Sequence, residues 1–463
     1  MNRSVPLVLA IALFMENMDS NVISTSLPAI ADDLGTSPIA LKLALTGYLV
    51  SLAIFIPISG WMADRFGAKR VFRAAIGVFV LGSLACAASN SLTSFVLARS
   101  LQGMGGAMMT PVGRLLIIRS TPRNELVSAM AWLSIPAMVG PLAGPPIGGF
   151  ITTYFTWHWI FIINVPIGIM GIWFSTKYLP DAEELINRKL DWTGFVLSGL
   201  GMSGVVFGLS VVSLPALPTF VGISTLIIGV VASLLYVWHA RRVAEPLLDL
   251  SLFKNQVFRV SVVGGSIFRL GVGAVPFLLP LMFQVGFGLS PFQSGMLTFT
   301  SAIGAFTMKF GARSMFARFG FRNSLALCAL MSATFIAING LFTPETPYWI
   351  IFMALLIGGV GRSLLFTGVN TLAYAEIPNE KTSQATPITT VAQQVSLAIG
   401  VAIAGGILEI STLFHGKELL LSDFHIGFFI IAAISGMAFF SFIKLDPDAG
   451  HQLSGRKTCK NEA

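Results

Sequence analysis

Two carboxylates, Glu16 and Asp19, stand three residues apart inside an apolar run that extends from about Pro6 to Pro28. Residues three apart share one face of a helix, and two carboxylates on one face of an apolar helix are suited to taking up and releasing a proton. An ionisable group is costly in hydrocarbon, so those kept there are candidates for function. Asp19 is the first candidate for a proton-coupling acid and Glu16 the second. Arg99, in another apolar run, can form a structural ion pair with Asp19, and the same pair can serve coupling if protonation releases it.

Arg114, Arg269 and Arg362 lie in further apolar runs. A guanidinium matches a carboxylate or phosphate with two parallel hydrogen bonds. Such a group of arginines points to an anionic guest, an organic acid or a carboxylate-rich metal chelate, whereas pumps for lipophilic cations call for carboxylates and aromatics. Arg114 can instead brace a neighbouring loop, and Arg269 and Arg362 can pair with Glu16, Asp19 or helix carbonyls. Gln102, Gln284 and Asn370 are candidate substrate contacts. For these, as for Asn164, Gln393 and Gln394, helix-to-helix hydrogen bonding is the competing use. Glu409 falls near the end of an apolar run, an interfacial position.

The elements that must position these groups are membrane helices. Of the 463 residues 54% are hydrophobic and 11% charged, against about 25% charged in soluble domains. Apolar runs of spanning length lie near residues 6–28, 42–63, 71–90, 93–118, 127–153, 158–178, 192–213, 218–239, 259–285, 292–316, 323–342, 347–375, 384–412 and 422–444. Each is close to the roughly 20 residues a bilayer core requires. The expected fold is all-α, about fourteen spans. Residues 1–180 form a first six-helix bundle, 181–255 a two-helix insert with linkers, 256–445 a second six-helix bundle and 446–463 a tail. Glu16 and Asp19 within the first run, and the many spans that follow, mark it as a retained helix rather than a cleaved signal.

The basic residues set an expected orientation. With both termini cytoplasmic, the inner loops and tails hold Arg3, Arg65, Lys69, Arg70, Arg73, Arg119, Arg123, Arg188, Lys189, Arg241, Arg242, Lys254, Arg318, Arg322 and Lys381, while the outer loops offer Lys42 and Lys417. This is the positive-inside pattern. The net charge of +8 is thus accounted for by a membrane surface, with no dense basic tract for nucleic acid. Cys86, Cys328 and Cys459 and the five histidines show no disulfide or metal-ligand spacing. A phosphate-cradling glycine loop with Lys-Ser/Thr is absent, so ATP is not the expected energy source and no cofactor is expected.

The sequence also matches itself. At an offset of 253 residues LGTSP (34–38) falls on FGLSP (287–291) and RFG (65–67) on RFG (318–320). Two matches in one register argue for related halves. The same offset carries Glu16 onto Arg269, which gives the halves opposite charges at equivalent positions.

The segment GWMADRFGAKR, from Gly60 through Asp64, Arg65 and Gly67 to Arg70, resembles the loop signature of the major facilitator superfamily. Its glycines suit a tight turn, and its charged residues can latch neighbouring helix ends; Ala68 replaces a commonly basic position. ARSLQGMGGA (98–107), WHWIFIINVPIG (157–168) and GPLAGPPIGGF (140–150) strengthen the resemblance. The last, with Gly140, Pro141, Gly144, Pro145 and Gly148, resembles the segment associated with antiport, although a packing seam explains it too. The whole chain is similar to the fourteen-helix drug:proton antiporter group of EmrB- and QacA-like exporters, and within it to MdtD-type members. The resemblance implies a secondary transporter rather than an enzyme. It implies a proton-driven exporter of small molecules in the bacterial inner membrane, working as a monomer by alternating access. A multidrug exporter of lipophilic cations, or a uniporter or importer of organic anions, is the alternative.

Overall fold

The computed structural model describes residues 4–120, 126–179, 190–212, 218–243, 246–377, 382–415 and 419–450. Arg3, Arg123, Arg188, Lys189, Lys381, Lys417 and Cys459 lie outside the described residues. All regular structure among the described residues is helical. The long helices are α1 (Ser4–Val22), α2 (Lys42–Phe66, with a 3-10 turn at Ile56–Ile58), α3 (Ala68–Ala87), α4 (Leu92–Ser120), α5 (Leu126–Tyr154), α6 (Trp159–Tyr178), α7 (Trp192–Val211) and α8 (Thr219–Ala240). They continue with α9 (Gln256–Gly286, ending in a π turn), α10 (291–319), α11 (321–339), α12 (Tyr348–Leu372), α13 (Thr382–His415) and α14 (Leu421–Phe442).

Among the described residues eleven helices are long and apolar enough to cross a membrane. The other three are α4, α5 and α10. Of these, α4 and α5 have 29 residues each, which at 1.5 Å per residue is about 43 Å, more than the hydrocarbon core. Among the described residues the fourteen expected runs appear as fourteen helices, with one difference. The tenth and eleventh abut as one 49-residue helical stretch, Pro291–Asn339, broken at Gly320.

That break belongs to the internal repeat. Gly67, between α2 and α3, has φ 89° and ψ 128°, and Gly320 has φ 75° and ψ 166°. Residues with a Cβ rarely enter this region, so glycine is required at both. The other matched segment behaves alike: Gly35 and Gly288 turn through φ of 60° and 70°. Both sequence matches at the offset of 253 residues are thus matched in backbone geometry as well.

The helices divide into two compact units. The first comprises Met1–Gly208, Ser224–Tyr236 and Ser290–Met296; the second comprises Leu209–Ile223, Val237–Leu289 and Leu297–Ala463. In the first, α4 is clasped between α2 and α3, because a Cβ on Gly103 would lie 2.5 Å from the Tyr48 carbonyl and one on Gly105 would lie 2.5 Å from the Phe79 amide. Helix α7 leans on α2 through Phe55–Phe195 and Trp61–Trp192, with ring centroids 6.0 and 6.5 Å apart. In the second unit α9 and α13 approach reciprocally, Gly273 on the Leu397 carbonyl and Gly400 on the Leu270 carbonyl. Its core joins Phe268, Phe316, Phe321, Leu325, Leu365 and Phe442.

Candidate functional site

The polar centre of the first unit is built on Asp19. Arg99 Nη1 donates to Asp19 Oδ2 at 2.7 Å, Gln102 Nε2 donates to Oδ1 at 2.9 Å, and Asn164 Nδ2 donates to the same Oδ1 at 2.7 Å. Arg99 also donates to Gln102 Oε1, and Ser83 Oγ accepts from Gln102 at 2.8 Å and from Asn164 at 3.2 Å. Four helices, α1, α3, α4 and α6, therefore meet in one network. Asp19 is 2% exposed, Arg99 1%, and Gln102, Asn164 and Ser83 are fully buried. The aromatic ring of Tyr48 lies 4.3 Å from the guanidinium carbon of Arg99, a cation–π contact that further shields the charge.

Local sequence explains the placement. Gly82 gives up a side chain that would come within 2.6 Å of the Gln102 backbone, so α3 and α4 touch and Ser83 reaches the amide. Arg99 and Gln102, one helical turn apart, share a face of α4. The reading of Asp19–Arg99 as an ion pair is realised, and Gln102 faces Asp19 within it. Asn164 and Ser83 complete the network. Asn164 was legible as a polar residue in an apolar run; Ser83 carried no distinguishing signal.

Glu16 sits one turn earlier on α1 in a different setting. It is half-buried and accepts from Thr110 Oγ1 at 3.0 Å. Arg114, one turn further along α4, is close enough for its charge to act on Glu16, yet it is itself exposed. Asp19 accepts from three donors, whereas Glu16 accepts from a single hydroxyl.

In the second unit Arg269 of α9 is 2% exposed. Its Nη2 donates to Asn370 Oδ1 of α12 at 2.6 Å, its guanidinium lies 5.3 Å from the centre of the Phe366 ring, and its Nε has no hydrogen-bond partner. No carboxylate pairs with it among the described residues. A narrow cleft beside it is lined by Ser261, Arg269, Val369, Asn370, Ala373 and Thr389, and Ser261 Oγ is likewise unpartnered there. Arg362, two turns before Asn370 on α12, donates to Ser301 Oγ of α10 and lines a separate cleft against α11. Gln284 stands half-buried in the π turn that ends α9. Glu409, in the last turns of α13, is 3% exposed.

The loop signature is divided by function. Asp64 and Arg65 occupy the last turn of α2, Gly67 makes the break, and Arg70 is exposed on the first turn of α3. Lys69 is buried and donates to the Leu179 carbonyl at 2.8 Å, placing a cation at the C-terminal end of α6, where the helix dipole favours it. Gly60 has open space around its Cα and lies within the helix, so the turn depends on Gly67 and not on Gly60. The Gly/Pro segment of α5 is a seam against α1. A Cβ on Gly140 would meet Asn17 Cβ and the Met18 amide at 2.8 Å; on Gly144, Asn21 Cβ at 2.8 Å; on Gly148, the Val22 carbonyl at 2.5 Å. Pro145 stands in the same helical stretch, and the side chain of Pro141 lies outside the described residues. This seam is directed at the helix that carries Glu16 and Asp19.

The chain is similar to known transporters over nearly its whole length. A family model described as Major Facilitator Superfamily matches residues 9–400 and 261–459. The "Putative multidrug resistance protein MdtD" of Enterobacter sp. (strain 638) is 36% identical over 420 residues, covering 90% of this chain and 87% of the relative. The "Probable transport protein HsrA" of Haemophilus influenzae is 35% identical over 458 residues, covering 97% of both. Among solved structures a D-xylose-proton symporter superposes with a TM-score of 0.70 at 16% identity, covering 96% of this chain and 98% of that one. With the fold, the internal repeat and the signature segments, these likenesses lead to one assignment: the chain is a multi-pass membrane transporter that belongs to the Major Facilitator Superfamily.

Proposed function

We propose that this transporter exports small organic anions, carboxylates or carboxylate-rich metal chelates, in exchange for protons across the bacterial inner membrane, with both termini cytoplasmic. The observation that carries the reading is Arg269, a guanidinium 2% exposed that donates to the neutral Asn370, lies against the Phe366 ring and has no carboxylate partner among the described residues. A cation held in a membrane interior without a counter-ion is strongly disfavoured, and a substrate carboxylate relieves it. Arg269 and Asn370 form the anion pole, and the exposed Arg114 offers a further positive charge. Glu16, half-buried and weakly held, receives the proton from the aqueous side; Asp19, with Arg99, changes partners as the unit moves. No resident cofactor takes part, and the proton gradient drives the cycle by alternating access.

The test is substrate-induced proton release from purified protein in liposomes, with citrate, other carboxylates, their ferric complexes and lipophilic cations as trial substrates, and Arg269→Ala alongside. Release with carboxylates that disappears in Arg269→Ala supports the reading. A response to cations alone overturns it and favours a multidrug exporter, the reading suggested by the names of the MdtD relatives.

A further inference from the structure

Gly265 precedes Arg269 by one helical turn on α9 and is buried. Side chains of a helix lean back over the turn before them, and Arg269 does so. An added Cβ on Gly265 would lie 2.8 Å from Arg269 Nη1 and 3.6 Å from its guanidinium carbon. The guanidinium therefore rests on α9 where that helix has no side chain. Helix α12 supplies the other walls of this slot. The Phe366 ring centre is 5.3 Å from the guanidinium carbon, Asn370 Oδ1 accepts from Nη2 at 2.6 Å, and Val369 Cγ1 would lie 2.5 Å from the added Cβ.

Two groups thus occupy the place of a side chain at position 265, and they differ in kind. Val369 is 2% exposed in the core of the second unit, and its β-branched side chain is stiff. The tip of Arg269 is the far end of a flexible chain and gives way, leaving the slot and the Asn370 carbonyl. Gly273 and Gly400 are different, because each faces a backbone carbonyl of the neighbouring helix and serves helix packing alone. At Gly265 the obstacles are side chains, and one of them carries the charge that an anion would meet.

We propose that Gly265 is a positioning residue for anion binding: by lacking a side chain it lets the Arg269 guanidinium lie back across α9, where Asn370 and Phe366 fix its orientation. This rests on the reading of Arg269 as the anion pole. Gly265 acts through Arg269, so its effect belongs to affinity and not to the rate of the conformational cycle.

Proton release from purified full-length protein in liposomes tests this, with each carboxylate of the trial set, citrate among them. Displacing one charged donor group costs about tenfold in affinity, so Gly265→Ala is expected to raise half-saturation by about that factor. The maximal rate should change less than about twofold, the pattern of lost binding rather than lost turnover. Val369→Ala removes the apolar obstacle, and Gly265→Ala/Val369→Ala should keep the rise relative to Val369→Ala alone; this pair also decides the matter if Gly265→Ala does not fold. On an Arg269→Lys background, with no planar fork left to displace, Gly265→Ala should add less than about twofold. An unchanged half-saturation in Gly265→Ala, a rise that vanishes in the Val369→Ala background, or an equal rise with Arg269→Lys each overturns the proposal. A carboxylate response present in the unmodified protein, lost in Arg269→Ala and unaltered in Gly265→Ala overturns this inference alone, whereas the absence of any carboxylate response overturns the reading of Arg269 and this inference with it.

Discussion

Asp19 on α1 and Arg99 on α4 form an ion pair of 2.7 Å in which each side chain is 1% exposed. Gln102 and Asn164 both donate to the other carboxylate oxygen. Removing one member of such a buried pair typically costs about 3–5 kcal/mol, because the other is left as an uncompensated charge. Asp19→Ala is therefore expected to lower the melting temperature sharply, and Asp19→Asn, which keeps an acceptor, to do so less. Combining Asp19→Asn with Arg99→Gln is expected to cost less than the sum of the two, as a double-mutant cycle of melting temperatures will read. Additive losses would mean that the pair is energetically uncoupled.

Glu16→Gln is expected to behave differently. Glu16 is half-buried and accepts one hydroxyl from Thr110, and glutamine keeps that acceptor. Stability should change by less than about 1 kcal/mol, while substrate-induced proton release in liposomes should fall at least tenfold. Proton release at the normal rate in Glu16→Gln would transfer the coupling role to Asp19.

The seam between α1 and α5 predicts a packing phenotype. At Gly144 an added Cβ would lie 2.8 Å from Asn21 Cβ, and overfilling a close contact of this kind costs about 1–3 kcal/mol. Gly144→Val should insert into the membrane yet transport more slowly, read as a reduced maximal rate with little change in half-saturating concentration. Gly60→Ala, which meets open space, is the matched control and should be nearly silent.

Gly67 and Gly320, at equivalent places in the two halves, both hold φ values that disfavour a Cβ. Substitution by alanine should cost about 1–3 kcal/mol at each. Because the two residues belong to different compact units, the double variant should show the sum within about 0.5 kcal/mol. Melting temperatures of the two single variants and the double variant supply the comparison.

Arg269→Lys provides a sharper trial of the anion pole than Arg269→Ala. Lysine keeps the charge but loses the planar fork, so half-saturation for a carboxylate should rise about tenfold. An unchanged half-saturation would remove Arg269 from the substrate site.

The sequence makes the periodic and conformational features legible. Long apolar runs without charge have one physical outcome in lipid, and the repeat at 253 residues foretells that Gly288 follows Gly35 and Gly320 follows Gly67 in backbone geometry. The charged pair Asp19–Arg99 is legible too, since both residues are costly in hydrocarbon. Less is legible of the neutral members. Ser83 donates to the Phe79 carbonyl of its own helix, as Ser89 and Ser203 do to carbonyls four residues back, and it differs only in also accepting from Gln102 and Asn164. That second role depends on the close approach of α3 to α4, where Gly82 meets the Gln102 backbone. Gly60 shows the same limit: a glycine in a signature can stand in a helix with room to spare, where its conformation does not require glycine.

The burial of Asp19 has a consequence for energy conservation. A transporter that harvests an ion gradient loses it whenever protons cross without cargo. Every hydrogen-bonding partner of Asp19 belongs to a neighbouring helix and is at most 1% exposed, so this carboxylate has no aqueous contact of its own in the present conformation. Opening it takes a motion of the surrounding helices, and such motions take microseconds to milliseconds, far slower than a proton hop through water. In the proton exchange proposed above, the closed network would serve as insulation, limiting leak to the rate of the conformational step itself.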